Sequence, residues 1–413
     1  MAKKVVIVGG GASGLMAAIY AAKNQAKVIV IEHKDRVGKK ILMTGNGKCN
    51  LTNMSDLHGK YHSDSLPFVY HILESFDAKK VRAFFEEAGL YTKEKRDGGV
   101  YPVSEQAAIV LDTLRMECTR LGVELRTNCH AYQIETKDTH GVLYYEQVGE
   151  QKQKLQQPFD ALILATGSKA APVSGSDGSG YELAKQVGHH ILQPLPALVQ
   201  LRCKGDFFKQ VTGGRAQAKL TLYIEQKERI SEEGELQLTD YGISGIPTFQ
   251  ISRHVAKALA KRQKCEVHID FLTYMSEKEV KELLAKKQVF EYKTIEEFLS
   301  GLVHKKVAAL ICKQHGLKTS TTLSALKPDD LATCVWNLKD FTVQVTATNS
   351  FENAQICCGG VPLAEMDVTM QSKKNKLIYL TGELLDCDGI CGGYNLQWAW
   401  ATGAIAGANA AKS

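Results

Sequence analysis

One stretch near the start of the chain limits its possible folds more than any other. Val5-Val6-Ile7-Val8 is an unbroken run of β-branched residues, the pattern of a strand buried on both faces. Gly9-Gly10-Gly11-Ala12-Ser13-Gly14 follows at once. Leu15, Ala18, Ile19 and Ala22 then recur at helical spacing, and a second apolar strand, Lys27 to Ile31, ends at Glu32. Strand, glycine turn, helix, strand and terminal acid in this order predict a dinucleotide-binding βαβ unit. In such a unit Gly9 permits the tight turn, Gly11 lets the backbone approach a pyrophosphate, and Gly14 lets the helix pack closely on the strand. Ala12 and Ser13 open the helix, whose free amide groups present partial positive charge to phosphates. Glu32 is placed to accept hydrogen bonds from both ribose hydroxyls. An acid there favours a free 2′-hydroxyl, hence FAD or NAD over NADP. The same apolar run follows Lys3 and Lys4 and invites comparison with a signal peptide. Its glycines break an apolar core, however, and Glu32 and Lys34 arrive without an Ala-x-Ala cleavage site.

Composition narrows the class without naming it. The chain has 413 residues, of which 44% are hydrophobic and 23% charged, values that exclude a disordered chain, a collagen-like repeat and a small disulfide scaffold. A formal charge of +6, spread along the chain without a basic block, predicts neither nucleic-acid binding nor a membrane-surface role. The expected partner is a small-molecule substrate, and the oligomeric state stays open. Eleven cysteines, an odd number without a C-x-x-C pair, read as the reduced thiols of a cytoplasmic protein. No His or Cys pairs fall at zinc-site spacing, so no metal is expected.

Two later segments bear on which dinucleotide is bound. Phe159 to Leu164 is a second buried-strand run, ending in Ala165-Thr166-Gly167-Ser168, and Leu377 to Leu380 runs into Thr381-Gly382-Glu383. Gly392-Gly393-Tyr394-Asn395 then precedes an apolar helix from Leu396 to Ala411. A strand ending in Ala-Thr-Gly with a late Gly-Glu turn resembles the FAD proteins of the glutathione-reductase kind. That resemblance implies that Glu383 accepts a hydrogen bond from the ribityl chain and that the helix start near Asn395 and Leu396 faces the flavin pyrimidine. A helix N-terminus suits that place, because reduced flavin carries negative charge there.

The whole chain resembles the BaiN-type bacterial FAD-dependent flavoproteins, which include reductases of unsaturated 3-oxo bile-acid intermediates and aminoacetone oxidases. The resemblance rests on Val37 to Leu42 running into Gly45-Asn46-Gly47-Lys48-Cys49-Asn50, on Gly175 to Tyr181, on Leu195 to Val199 and on Tyr241 to Gly245. It is most specific in Cys358-Gly359-Gly360-Val361, Gly382 to Asp386, and Gly392 to Ala399. Many relatives carry arginine at Lys48 and histidine at Asp240, so any role of that histidine does not transfer.

The resemblance implies an α/β fold in which a discontinuous Rossmann-like FAD domain, residues 1–192 and 352–413, carries an inserted β-barrel-like domain, 193–274 and 333–351, and a small helical domain, 275–332. Alternation supports this division: Leu220, Leu222 and Ile224 share one face, as do Val267, Ile269 and Phe271, and Phe341, Val343 and Val345. Ile295, Phe298, Leu299, Leu302 and Val303 instead form a helical stripe continued by Val307, Leu310 and Ile311, and Ser276 with Glu279 fits a capping box. Lys39, Lys40 and Lys48 flank the glycine loop, as cofactor contacts or as solvated charge. Backbone amides of Gly45, Gly47 and Asn50 are candidates to hold the flavin or pyrophosphate, and Lys40, Cys49 and Ala131 complete the candidate cofactor set. Cys387 and Cys391 are a pair to check for redox activity, and His189-His190 read as structural. No second glycine fingerprint follows a strand, so NAD(P)H is expected only as a transient electron donor. The expected activity is reduction of a C=C bond conjugated to a ketone in a steroid-like acid, with oxidation of a small amine such as aminoacetone by oxygen as the alternative. No residue is singled out as the catalytic acid.

Overall fold

The computed structural model describes residues 2–149 and 152–412 and divides into two compact units. The first joins Met1–Leu195 with Gln355–Ser413, and the second is Pro196–Ala354. At the centre of the first unit is a five-stranded parallel sheet in the order 378–380, 161–164, 4–8, 27–31, 124–126. Val5, Val6, Ile7, Leu162, Ile163 and Leu164 are fully buried, as continuous apolar runs require when helices cover both faces. The stretch weighed against a signal peptide is thus the central strand Lys4–Val8 and the helix Ala12–Lys23. A three-stranded antiparallel sheet of Cys129–Thr136, Gly141–Val148 and Lys152–Phe159 leads into the strand Ala161–Leu164.

The helix Ala12–Lys23 packs on the C-terminal helix Tyr394–Ala410 at backbone distance. A Cβ added at Gly403 or Gly407 would collide with the carbonyl oxygens of Ser13 and Ala17. No helix among the described residues is long and apolar enough to cross a membrane.

The second unit is built on a closed six-stranded antiparallel barrel in the order 201–203, 242–245, 227–238, 215–224, 265–270, 341–348. The alternating residues named above point into it, and Ile251 and Val255 of the helix Ile246–Ala260 join the same core. Val280, Ile295, Leu299, Val307 and Ile311, from the helices preceding the last barrel strand, belong to one apolar cluster with the barrel. Ser276 and Glu279 form the capping box. The stripe from Ile295 to Val303 is not one helix: Ile295–Ser300 stops at Gly301, and Lys305–Gln314 restarts after His304, whose ring accepts from the Lys306 amide. The apolar spacing survives the break because Leu302 and Val303 still pack against the core from the turn.

Candidate functional site

The site grows from the turn after the central strand. Gly9 has φ +102°, and a Cβ there would collide with the Ala165 carbonyl, so the turn and the neighbouring strand end require glycine. A Cβ at Gly14 would fall on the Gly9 carbonyl oxygen and lie 3.2 Å from Ala165 Cβ. Gly11 is different, with open space where a Cβ would be. The helix it begins has no side-chain cap and no acid in its first turn, so its leading amides and positive dipole end suit an anionic group.

Glu32 is buried at the end of the next strand, where Oε2 accepts from the Gly10 amide and Oε1 from the Lys34 amide, both at 2.7 Å. Burial raises its pKa, and these amide bonds oppose the rise. The carboxylate is therefore held fixed and keeps acceptor capacity on both oxygens. Cys129 N donates to the Glu32 carbonyl at 2.8 Å, which brings the strand carrying buried Ala131 alongside, and Gly175 also lies close to the Glu32 carboxylate.

Across the crevice that an open α/β sheet leaves at the carboxyl ends of its strands, Gly382, with φ +64°, turns close to Ser13 Oγ. Glu383 Oε2 meets Lys40 Nζ at 2.6 Å and accepts from Ser168 Oγ at 2.9 Å. Gly167 lies against Ser176. The three lysines of the loop all face carboxylates: Lys39 pairs with Asp35, Lys40 with Glu383, and Lys48 with Glu105 at 2.7 Å. Lys48 and Lys93 together hold the Glu105 carboxyl at about 2. Only Lys40 reaches the crevice residues through its partner.

Gly45–Gly47 form one 3-10 turn. Cys49 is wholly buried, and burial pushes its thiol up to about 12, so it stands as a neutral thiol. Asn50 Oδ1 is buried with no hydrogen-bond partner and lies close to Gly393, the residue before the C-terminal helix. The side chain of Asn395 is engaged in its own loop, accepting from the Gly389 amide at 2.8 Å and donating to the Gly389 carbonyl at 2.9 Å. Leu396 is half-buried beside it. The C-terminal helix ties the loops together: Trp398 Nε1 donates to the Gly382 carbonyl, Trp400 Nε1 to the Leu51 carbonyl, and Thr52 Oγ1 to Gln397 Oε1.

None of the eleven cysteines, Cys387 and Cys391 included, is joined in a disulfide. His189 and His190 both contact Glu365 through Nδ1 at 2.6 Å, a clasp between the end of one helix and the segment leading to the last sheet strand. Ser168, Thr166, Tyr181 and Thr381 gather at or beside the strand ends of this site, and sequence reasoning passed over them. Thr166, Ser168 and Tyr181 lie inside runs already marked by their glycines, but periodicity does not distinguish a hydroxyl that faces a crevice from one that faces solvent.

Residues 3–409 match the family described as HI0933-like protein Rossmann domain. The chain belongs to this family. A 3-dehydro-bile acid delta(4,6)-reductase of Clostridium scindens is 41% identical over 413 residues, covering 99% of both chains. Ribosomal RNA dihydrouridine synthases of Haemophilus influenzae and Escherichia coli are 27% and 25% identical, each over 96% of this chain and 96% and 95% of their own. Among solved structures, a 3-ketosteroid-delta4-(5alpha)-dehydrogenase of Rhodococcus jostii aligns with a TM-score of 0.48 at 15% identity, covering 100% of this chain and 97% of its own. The HI0933-like chain is an oxidoreductase built on a flavin-binding Rossmann unit. Its residues fit the dinucleotide. The glycine turn is open at Gly11, the helix start is uncapped, and four buried polar atoms at the loop and strand ends, on Asn50, Thr166, Tyr181 and Thr381, have no hydrogen-bond partner.

Proposed function

We propose that the chain binds FAD along this crevice and reduces a C=C bond conjugated to a ketone in a 3-oxo steroid acid, with NADH or NADPH as electron donor. The observation that carries the reading is the 41% identity, end to end, to a 3-dehydro-bile acid reductase. In the net reaction a hydride and a proton add across the double bond while the nicotinamide is oxidised. Bound FAD supplies the hydride relay.

The chain's own residues bind and orient. The uncapped helix start at Gly11, Ala12 and Ser13 holds the pyrophosphate, and Glu32, fixed by two amides, accepts from the adenosine ribose. Glu383, oriented by Lys40 and Ser168, faces the ribityl chain, with Gly167 and Gly382 keeping the strand ends narrow. The loop from Gly45 through Cys49 and Asn50, with Gly393 and the backbone amides of Asn395 and Leu396, borders the flavin ring. Ala131 lines the adenosine end. Eleven cysteines outside any disulfide favour a cytoplasmic setting. For the second unit we retain 275–332 as a separate helical lobe on the barrel, which limited proteolysis tests through excision of that segment alone.

A second reading is favoured by the two ribosomal RNA dihydrouridine synthases. Their named product is also a saturated C=C conjugated to a carbonyl, so the same hydride chemistry on a uridine of RNA is the alternative. One experiment separates the readings. The purified flavoprotein is mixed anaerobically with NADH or NADPH, then with a 4-en-3-one bile acid, a ribosomal RNA transcript, or aminoacetone. Bleaching of the flavin by a pyridine nucleotide, followed by recovery of its colour and release of the saturated bile acid, is expected. Recovery only with RNA selects the second reading. Bleaching by aminoacetone in place of the nucleotides selects an amine oxidase.

Glu32→Ala tests the cofactor assignment. Loss of a charged acceptor for ribose hydroxyls costs about 1.5–3 kcal/mol of binding, roughly a ten- to hundredfold rise in the Kd for FAD. Titration of the deflavinated chain by flavin fluorescence measures it, and an unchanged Kd removes Glu32 from the site.

A further inference from the structure

Tyr181 carries a feature that the packing of the first unit leaves unexplained. Its side chain is 5% exposed, and its hydroxyl is buried with no hydrogen-bond partner. Phenols buried in proteins ordinarily find a partner, because an unmade hydrogen bond in a dry site costs the whole desolvation of the hydroxyl. The backbone on both sides of the ring is held in place. A Cβ at Gly180 would collide with Thr166 Oγ1, which shows how closely the helix Ser179–Gln186 rides on the strand end. Ser176 Oγ donates to the Ser168 carbonyl at 2.9 Å, and Asp177 accepts from the Ser179 amide.

The polar neighbours of the phenol do not satisfy it. Glu383, Asp386, Cys357 and Cys358 lie near enough to act on it electrostatically, yet none makes the hydrogen bond. The Oε2 atom of Glu383 is already shared by Lys40 and Ser168. Burial keeps the phenol protonated far above its ordinary range, so it is a donor at every working pH. Thr166 Oγ1 and Thr381 Oγ1, at the carboxyl ends of two adjacent parallel strands, are buried and unpartnered as well. In open α/β sheets those ends are where ligands sit.

Resting on the FAD reading above, we propose that Tyr181 is a cofactor-binding residue whose hydroxyl donates to a polar oxygen of bound FAD beside Glu383. The partner absent from the protein is then supplied by the ligand, and the unpaired hydroxyl of the flavin-free chain is a built part of the cradle. This makes a distinctive prediction: the same hydroxyl is a burden without flavin and an anchor with it.

Tyr181→Phe keeps the ring and removes only the hydroxyl. For the full-length chain, deflavinated and titrated with FAD, the Kd rises about tenfold, the value of one good hydrogen bond, about 1.4 kcal/mol. The thermal midpoint of the flavin-free variant stays level with the parent or rises. An unchanged Kd overturns the proposal, and so does a fall in the flavin-free midpoint with unchanged Kd, which marks a structural hydroxyl bonded to water. A parent chain that takes up no FAD overturns the cofactor reading itself. Tyr181→Leu is the second variant: weakening of FAD binding no greater than that of Tyr181→Phe assigns the loss to the hydroxyl, and retention of FAD by Tyr181→Leu at parental affinity also overturns the proposal.

Discussion

Gly14→Val leaves a chain that purifies without flavin and melts far below the parent. The first atom of any side chain at this position falls on the Gly9 carbonyl oxygen, with the Gly9 carbonyl carbon at 3.1 Å and Ala165 Cβ at 3.2 Å. The obstacle is backbone, which has no rotamer through which to yield. Relief requires the helix Ala12–Lys23 to withdraw from the strand Lys4–Val8. That helix is also clamped from behind, because Gly403 and Gly407 of the C-terminal helix bring their Cα atoms against the Ser13 and Ala17 carbonyls. Its withdrawal therefore disturbs two close interfaces and the helix start proposed to hold the pyrophosphate. The ratio of visible flavin absorbance to protein absorbance in the purified variant reads the first effect, and a thermal melt reads the second. Parental flavin content in Gly14→Val would refute the assignment of this turn.

Trp400→Ala is expected to cost about 3–5 kcal/mol, the usual range for emptying a large aromatic site in a core. The indole is fully buried, stands edge-to-face against Phe85 at 5.5 Å between centroids, and donates from Nε1 to the Leu51 carbonyl at 2.9 Å. Truncation leaves a cavity and also a buried carbonyl without its donor. For a unit of this size the loss corresponds to a fall in midpoint of roughly 10 °C. Leu51 directly follows Asn50, so flavin retention should weaken along with stability. Trp400→Phe keeps most of the packing and loses the hydrogen bond. It is expected to fall between the two, and a Phe variant as damaged as the Ala variant would place the whole effect on the hydrogen bond.

The parts of the fold that were legible early share one property: their signal is local. Val5 to Glu32 could be read because a buried parallel strand, a glycine turn and an amphipathic helix each leave a short-range pattern, and the three follow one another without interruption. The barrel strands around Leu220, Val267 and Phe341 announced themselves through period two in the same way. Where the local pattern was ambiguous, the reading blurred: the stripe from Ile295 to Val303 kept helical spacing across a break at Gly301, because the turn still delivers Leu302 and Val303 to the core.

The candidate site divides along the same line. Gly9, Gly14 and Glu32 stand at the turn and strand end that their spacing implied, because one βαβ unit fixes those places, while the contact of Gly9 and Gly14 with Ala165 comes from a strand far along the chain. The lysines and Asn395 are another matter. Spacing alone could not show that Lys39 and Lys48 spend their charge on Asp35 and Glu105, or that the Asn395 amide closes its own loop. Tyr181, Thr166 and Thr381 were invisible for a related reason, because an unpaired hydroxyl is defined by what surrounds it.

For this protein the sequence by itself determined the Rossmann unit, the glycine turn, the acid at the second strand end and the alternation of the barrel. These follow from backbone geometry and side-chain periodicity, which neighbouring residues encode. Only the tertiary structure decided which carboxylate each lysine meets, that Glu383 is held by Lys40 and Ser168, and that Trp398 and Trp400 lock the C-terminal helix to the Gly382 turn and the Leu51 loop. Those pairings join residues far apart in the chain, and their geometry exists only once the hydrophobic core has brought the strand ends together.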